Sequence, residues 1–174
     1  MTDPLPNRND ELNLRPATPA DVSQILEFIR DLATYEREPD AVLATEADLL
    51  RDGFGPDKRF DCVIAELTNA DRTIAAGFAL YFYNYSTWRG HAGIYLEDLY
   101  VSPEHRGKGI GKALLTRVAA IAVSEGCPRF EWSVLDWNTP SIDFYQQLGA
   151  VMKSEWKGMQ VSGEALAALA TQSK

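Results

Sequence analysis

Glu97 and Asp98 stand side by side in the otherwise apolar run at residues 94–101. A purely structural strand rarely accepts two adjacent carboxylates, because each loses hydration on burial unless a partner replaces it. Directly downstream, Arg106-Gly107-Lys108-Gly109-Ile110-Gly111-Lys112 is a glycine-rich turn that leads into an amphipathic pattern. Such a turn presents several backbone N–H groups in one concavity at the positive end of a helix dipole, a place for phosphate oxygens. One short stretch therefore offers groups for proton transfer or cation binding, and next to them a site for an anion.

The glycine spacing excludes two better-known phosphate loops. A Walker loop starting at Gly107 needs glycine where Lys112 stands, and Ala113 supplies no hydroxyl for a magnesium ion. The dinucleotide pattern fails because Gly111 arrives one position early. What remains is Arg106-x-x-Gly109-x-Gly111.

Other candidates are weaker. Tyr145 lies on one stripe with Ile142 and Leu148, and spacing alone reads it as a core aromatic. Cys62 and Cys127 lack metal-type spacing, and without a secretion signal they are expected to be reduced. His91 and His105 have no companion ligand at metal spacing, so no metal is expected. The net charge of −8 disfavours a nucleic-acid partner. It suits a cationic substrate, although many soluble proteins are as acidic. No apolar run is long enough to span a membrane, and residues 1–10 lack the apolar core of a signal peptide. The expectation is a cytoplasmic protein with a loose tail at 1–10 and one domain at 11–174.

The elements that must hold these residues follow from periodicity. Strands are expected at 12–15, 60–67, 73–83, 94–101 and 130–135, with one or two more at 151–161. Asn69-Ala70-Asp71 marks a turn. Helices are expected from Thr18 or Asp21 through Leu32, at 45–50 stopping at Gly53, at 108–124, at 139–148 and at 163–170. Strands through the middle and a strand–helix–strand–helix second half give an α/β or α+β fold with a mixed sheet.

Arg106-Gly107-Lys108-Gly109-Ile110-Gly111 resembles the R-x-x-G-x-G/A pyrophosphate loop of the GNAT N-acetyltransferases. Longer strings extend the likeness over residues 12–160. Arg15-Pro16-Ala17-Thr18, Asp48 to Gly55, Tyr95-Leu96-Glu97-Asp98 and Trp137-Asn138…Phe144-Tyr145…Leu148-Gly149-Ala150 are similar to the diamine (spermidine/spermine) branch. Tyr85-Ser86-Thr87-Trp88-Arg89-Gly90 and Val134 to Asn138 are similar to the thialysine Nε-acetyltransferases.

The resemblance implies an α+β sandwich whose mixed, mostly antiparallel sheet splays one strand pair to hold coenzyme A. It implies acetyl transfer from acetyl-CoA to a primary amine in a ternary complex. The N–H groups of Gly107, Lys108, Gly109, Ile110, Gly111 and Lys112 would take the pyrophosphate, with Arg106 and Lys112 adding charge; Lys108 is equally well a solvated surface residue. The backbone of Leu99, Tyr100 and Val101 would pair with the pantetheine arm. Asn138 and Ser141 would lie against the cofactor, Asn138 serving also or instead as a helix N-cap.

An alkylammonium with a pKa near 10.4 is only about 0.04% neutral at pH 7, roughly 4.6 kcal/mol against the nucleophile. By the resemblance, Glu97 removes the proton, directly or through water, and the Tyr145 phenol protonates the departing thiolate. Ideal strand geometry points Glu97 and Asp98 to opposite faces, and a β-bulge is the device that would re-aim one of them. A structural ion pair is the other use for either residue. Tyr35, Glu36, Trp88, Asp98, Glu131, Trp132 and Ser133 match positions lining the amine pocket, with surface charge or core packing as their alternatives. Where the polyamine enzymes carry an acid two positions before the tryptophan, this chain has Ser86. That departure favours a short diamine or a lysine-like amino acid over a long polyamine. A non-catalytic acetyl-CoA or amine sensor and a protein lysine acetyltransferase are the competing classes. A homodimer is implied by the family.

Overall fold

In the computed structural model, residues 10–69 and 72–173 are described. The expected tail through residue 9, and Ala70 and Asp71 of the expected turn, lie outside them. The chain divides into two compact units, one through Ser133 and one from Val134 onward.

The first unit carries β1 (Glu11–Pro16), α1 (Val22–Tyr35), α2 (Glu46–Phe54), β2 (Asp61–Thr68), β3 (Thr73–Ser86), β4 (His91–Val101), α3 (Ile110–Ser124) and β5 (Phe130–Trp132). The five strands form one sheet in the order β1-β2-β3-β4-β5. Neighbours are antiparallel through β4, and β5 joins parallel to β4. This is the mixed, mostly antiparallel sheet expected from the sequence, with helices on both sides.

Apolar spacing explains the layers. Val22, Ile25, Leu26 and Phe28 of α1, with Leu49 of α2, pack on Cys62, Ile64, Phe78, Leu80 and Tyr100 of the sheet. Phe28 stacks on Phe78 at 5.5 Å and meets Tyr100 at 5.7 Å. Full burial of such side chains is worth about 1.5–3 kcal/mol each. Ile110, Leu114, Leu115, Val118 and Ala122 form the buried stripe of α3. One polar clamp ties the first strands to the entry of α1: Arg15 donates to Asp21 at 2.7 and 2.8 Å and to Glu66 at 2.8 Å. The guanidinium holds the Asp21 carboxyl down near 2.

Two helix boundaries depart from expectation for local reasons. α2 runs through Gly53 to Phe54 rather than stopping there. A side chain at Gly53 would lie 2.6 Å from the Phe60 ring, so the glycine admits that ring and does not break the helix. α3 begins at Ile110, two residues later than expected, because Gly107 and Gly109 hold left-handed φ values of 76° and 81°.

The second unit holds α4 (Thr139–Gln147) and α5 (Gly163–Ala170). The strands expected at 151–161 do not form; that segment has no regular structure, and all its residues are exposed. Its few apolar residues are divided by Lys153-Ser154-Glu155 and Lys157-Gly158, and they bury no common face. Among the described residues no helix is long and apolar enough to cross a membrane.

Candidate active site

β4 runs past its neighbour. Its parallel pairing with β5 covers only Ile94 to Leu96, whereas β4 continues to Val101. From Glu97 onward, β4 is paired with β3 alone among the described residues. The strands are thus splayed where the sequence placed its two carboxylates. Tyr100 and Ser102 turn their backbone toward β3: a side chain at Gly77 would lie 2.4 Å from the Tyr100 carbonyl, and Ser102 N–H donates to Ala76 at 3.0 Å. Alternation then leaves the backbone groups of Leu99 and Val101 facing away from β3. The Val101 carbonyl is already engaged, accepting from Arg106 Nε at 2.9 Å.

The splay starts at a bulge. Leu96 pairs with Tyr81 and Asp98 with Leu80, so Glu97 is the extra residue. The expected bulge is present, and it separates the two acids by environment. Glu97 is exposed, whereas Asp98 is half-buried. Burial, followed by the charges of Glu97 and Glu36, pushes the Asp98 carboxyl up to about 7. Glu36 follows the last residue of α1, and its own burial moves its carboxyl upward. Glu36, Glu97 and Asp98 therefore form one electrostatic group, able to hold a cation and to accept a proton near neutrality.

At the far end of β4, the short turn Pro103–His105 leads into the glycine loop. Among the described residues, no backbone acceptor takes the N–H of Gly109, Ile110, Gly111 or Lys112. These are the donors that the start of α3 leaves without helical partners. Lys112 is exposed. Lys108 Nζ lies 4.0 Å from Asp10 and 3.5 Å from His105, a surface arrangement. Arg106 sits 5.0 Å from the Tyr35 ring centroid and 5.7 Å from that of Tyr100. The donors fit a diphosphate in charge and in kind.

The remaining pocket candidates spread out. Trp88, 89% exposed at the β3–β4 turn, is not a core residue. Glu131 is bound by its own sheet: Arg129 Nε lies 2.7 Å from its carboxylate, and Asn84 donates to it at 3.4 Å. A side chain at Gly93 would strike Asn84 at 2.7 Å, so that glycine makes room for the network. Ser133 bonds the Tyr95 hydroxyl at 2.6 Å, and the Trp132 ring packs 5.0 Å from Phe130. Arg129 and Asn84 were not singled out in the sequence, and Tyr95 entered only within the string Tyr95-Leu96-Glu97-Asp98. Gly77 and Gly93 did carry a signal, since glycine inside a strand marks a close approach.

In the second unit, Asn138 caps α4, its side chain accepting from Ser141 N–H at 3.4 Å. The cap role is therefore real. Tyr145 lies within α4, its ring 5.3 Å from that of Phe144.

Residues 23–150 match the acetyltransferase (GNAT) family, and the chain belongs to that family. It is an acetyltransferase. The thialysine N-epsilon-acetyltransferase of Sus scrofa is 42% identical over 164 residues, covering 90% of this chain and 96% of that protein. The spermidine/spermine N(1)-acetyltransferase-like protein 1 of Homo sapiens is 39% identical over 152 residues, 86% of this chain and 22% of that longer protein. Among solved structures, an integron cassette protein from the mobile metagenome of V. cholerae superposes with a TM-score of 0.74 at 26% identity. That match covers 91% of this chain and 97% of its counterpart. Acetyltransferases of this family use acetyl-CoA as co-substrate.

Proposed function

We propose that the chain moves an acetyl group from acetyl-CoA to the primary amine of a small cationic substrate, a lysine-like amino acid such as thialysine or a short diamine. The observation that carries this reading is β4 itself. One strand, released from its neighbour at Glu97, has an acidic group at the release point and, beyond its end, a row of amides with no backbone acceptor among the described residues. The names of the relatives, thialysine and spermidine/spermine acetyltransferases, support the same substrate class.

Acetyl-CoA supplies the thioester. Gly107 to Lys112 bind its diphosphate through main-chain N–H groups, with Arg106 adding charge, and Leu99 and Val101 face the pantetheine arm. Glu36 and Asp98 hold the ammonium form of the amine. Glu97, on the bulge and open to water, takes its proton. The Tyr145 hydroxyl returns a proton to the departing sulfur, a donation that is only modestly uphill from a phenol near 10 to a thiolate whose acid is near 8.5. Asn138 orients the start of α4, which carries Tyr145. The protein works as a cytoplasmic homodimer.

Thiol release from acetyl-CoA, measured with thialysine, lysine, diaminopropane, putrescine, spermidine and a lysine peptide, tests the reading. Turnover with the small amines and none with the peptide is expected. Turnover with the peptide alone, or binding of acetyl-CoA without turnover, would overturn it. Light scattering of the purified protein checks the dimer.

A further inference from the structure

The resemblance assigns Tyr35 to the amine pocket. The geometry points to a different task, which rests on reading the glycine loop as the diphosphate site: we propose that Tyr35 is a positioning residue for the coenzyme, holding the Arg106 guanidinium ready to receive the diphosphate.

Arg106 is constrained from three directions. Its Nε donates to the Val101 carbonyl at 2.9 Å, and its guanidinium carbon lies 5.0 Å from the Tyr35 ring and 5.7 Å from the Tyr100 ring. Among the described residues, nothing accepts a hydrogen bond from its two terminal nitrogens. A long, flexible cation is thereby fixed at its root and against aromatic faces while its outer donors stay unbonded. That is the state in which a planar fork binds phosphate oxygens with least loss of freedom.

The two rings differ in kind. Tyr100 is buried in the core, packs on Phe28 and donates its hydroxyl to Asp31 at 3.3 Å. Its place is set by the fold. Tyr35 is 38% exposed and is the last residue of α1, so its contact with Arg106 is not enforced by core packing. The helix end is locked instead. Glu36 N–H donates to Leu32 and Glu38 N–H to Ala33, both at 2.8 Å. Arg37 takes a left-handed φ of 69°, a position where glycine is usual. A stiff terminus thus presents the Tyr35 ring to the loop that follows β4. The helix C-terminus also favours a nearby cation.

The test compares two acetyl donors, acetyl-CoA and acetyl-pantetheine, which share the thioester but not the diphosphate. Tyr35→Leu is expected to lower kcat/KM for acetyl-CoA by about three- to thirty-fold, the range of a cation–π contact. For acetyl-pantetheine the change should stay below about twofold. Tyr35→Phe keeps the ring and should recover most of the acetyl-CoA value that Tyr35→Leu loses, and Tyr35→Met replaces the leucine variant if that does not fold. In an Arg106→Met background, which removes the cation, removing the ring should cost nothing further with either donor. An equal loss with both donors would return Tyr35 to the amine pocket and overturn the proposal, as would an unchanged acetyl-CoA value. If the parent chain itself shows no preference for acetyl-CoA over acetyl-pantetheine, the diphosphate site is wrong and the proposal falls with it.

Discussion

The beginning and the end of the splayed part of β4, as proposed, would recognise opposite charges by different means. Around Glu97, side chains would do the recognition, with Glu36 and Asp98 partly buried. The bulge leaves Glu97 in solvent and Asp98 half-buried, and burial with the charges of Glu97 and Glu36 raises the proton affinity of Asp98. Beyond Val101, recognition would fall mainly to the main chain, through the N–H groups of a helix start preceded by two left-handed glycines. The first region should therefore respond to pH and tolerate backbone change. The second should ignore pH near neutrality and be broken by any residue that cannot adopt the glycine conformations.

The largest expected effect falls on proton return to the sulfur. Tyr145→Phe should lower kcat by about 100- to 10,000-fold while acetyl-CoA affinity, followed by calorimetry, changes by no more than about threefold. Near-normal turnover would remove Tyr145 from the chemistry.

Glu97→Gln comes next. It should slow turnover about 100-fold at pH 7, with the deficit narrowing toward pH 10 as more amine is neutral without help. A pH–rate profile parallel to that of the parent chain would show that Glu97 is not the base.

Gly109→Val probes the other region. With φ at 81°, a β-branched residue there is strained, and the loop must reshape. Acetyl-CoA affinity should fall at least about tenfold, equally at pH 6 and pH 8. A strong pH dependence of that loss would erase the contrast between the two regions.

The smallest effect concerns stability. The Asp98 carboxyl titrates near 7 in the fold, against an ordinary value near 4 in the unfolded chain. A raised carboxylate favours the folded state at low pH and loses that advantage as pH rises through 7. Asp98→Asn should therefore raise the melting temperature by about 2–6 °C at pH 8, with the gain vanishing toward pH 4. The same substitution should flatten the rise in amine KM expected of the parent chain below pH 7. A variant that melts lower at pH 8 would mean that Asp98 is a satisfied structural acid.

What was legible in the sequence was mostly local. The glycine loop, the Asn138 cap and the apolar faces of α1 and α3 depend on neighbouring residues and are present, whereas the bulge, offered only as a way to re-aim one of the two acids, took its place at Glu97 from the pairing with β3. What was illegible depended on partners far along the chain. Gly53 reads as a stop until Phe60 packs over it. Glu131 reads as a pocket acid until Arg129 and Asn84 bind it. The segment at 151–161 has β-compatible residues, but a strand requires a pairing edge as well as a pattern, and composition does not supply one. Tyr35 is the sharpest case, because spacing says nothing of Arg106, whose guanidinium comes within 5.0 Å of its ring.

Amide hydrogen exchange, read residue by residue with and without saturating acetyl-CoA, bears most directly on the main-chain site. The expected result is strong slowing at Gly109, Ile110, Gly111 and Lys112, whose N–H groups have no backbone acceptor among the described residues. Protection that appears elsewhere while these four amides exchange unchanged would contradict a diphosphate held by the main chain at the start of α3.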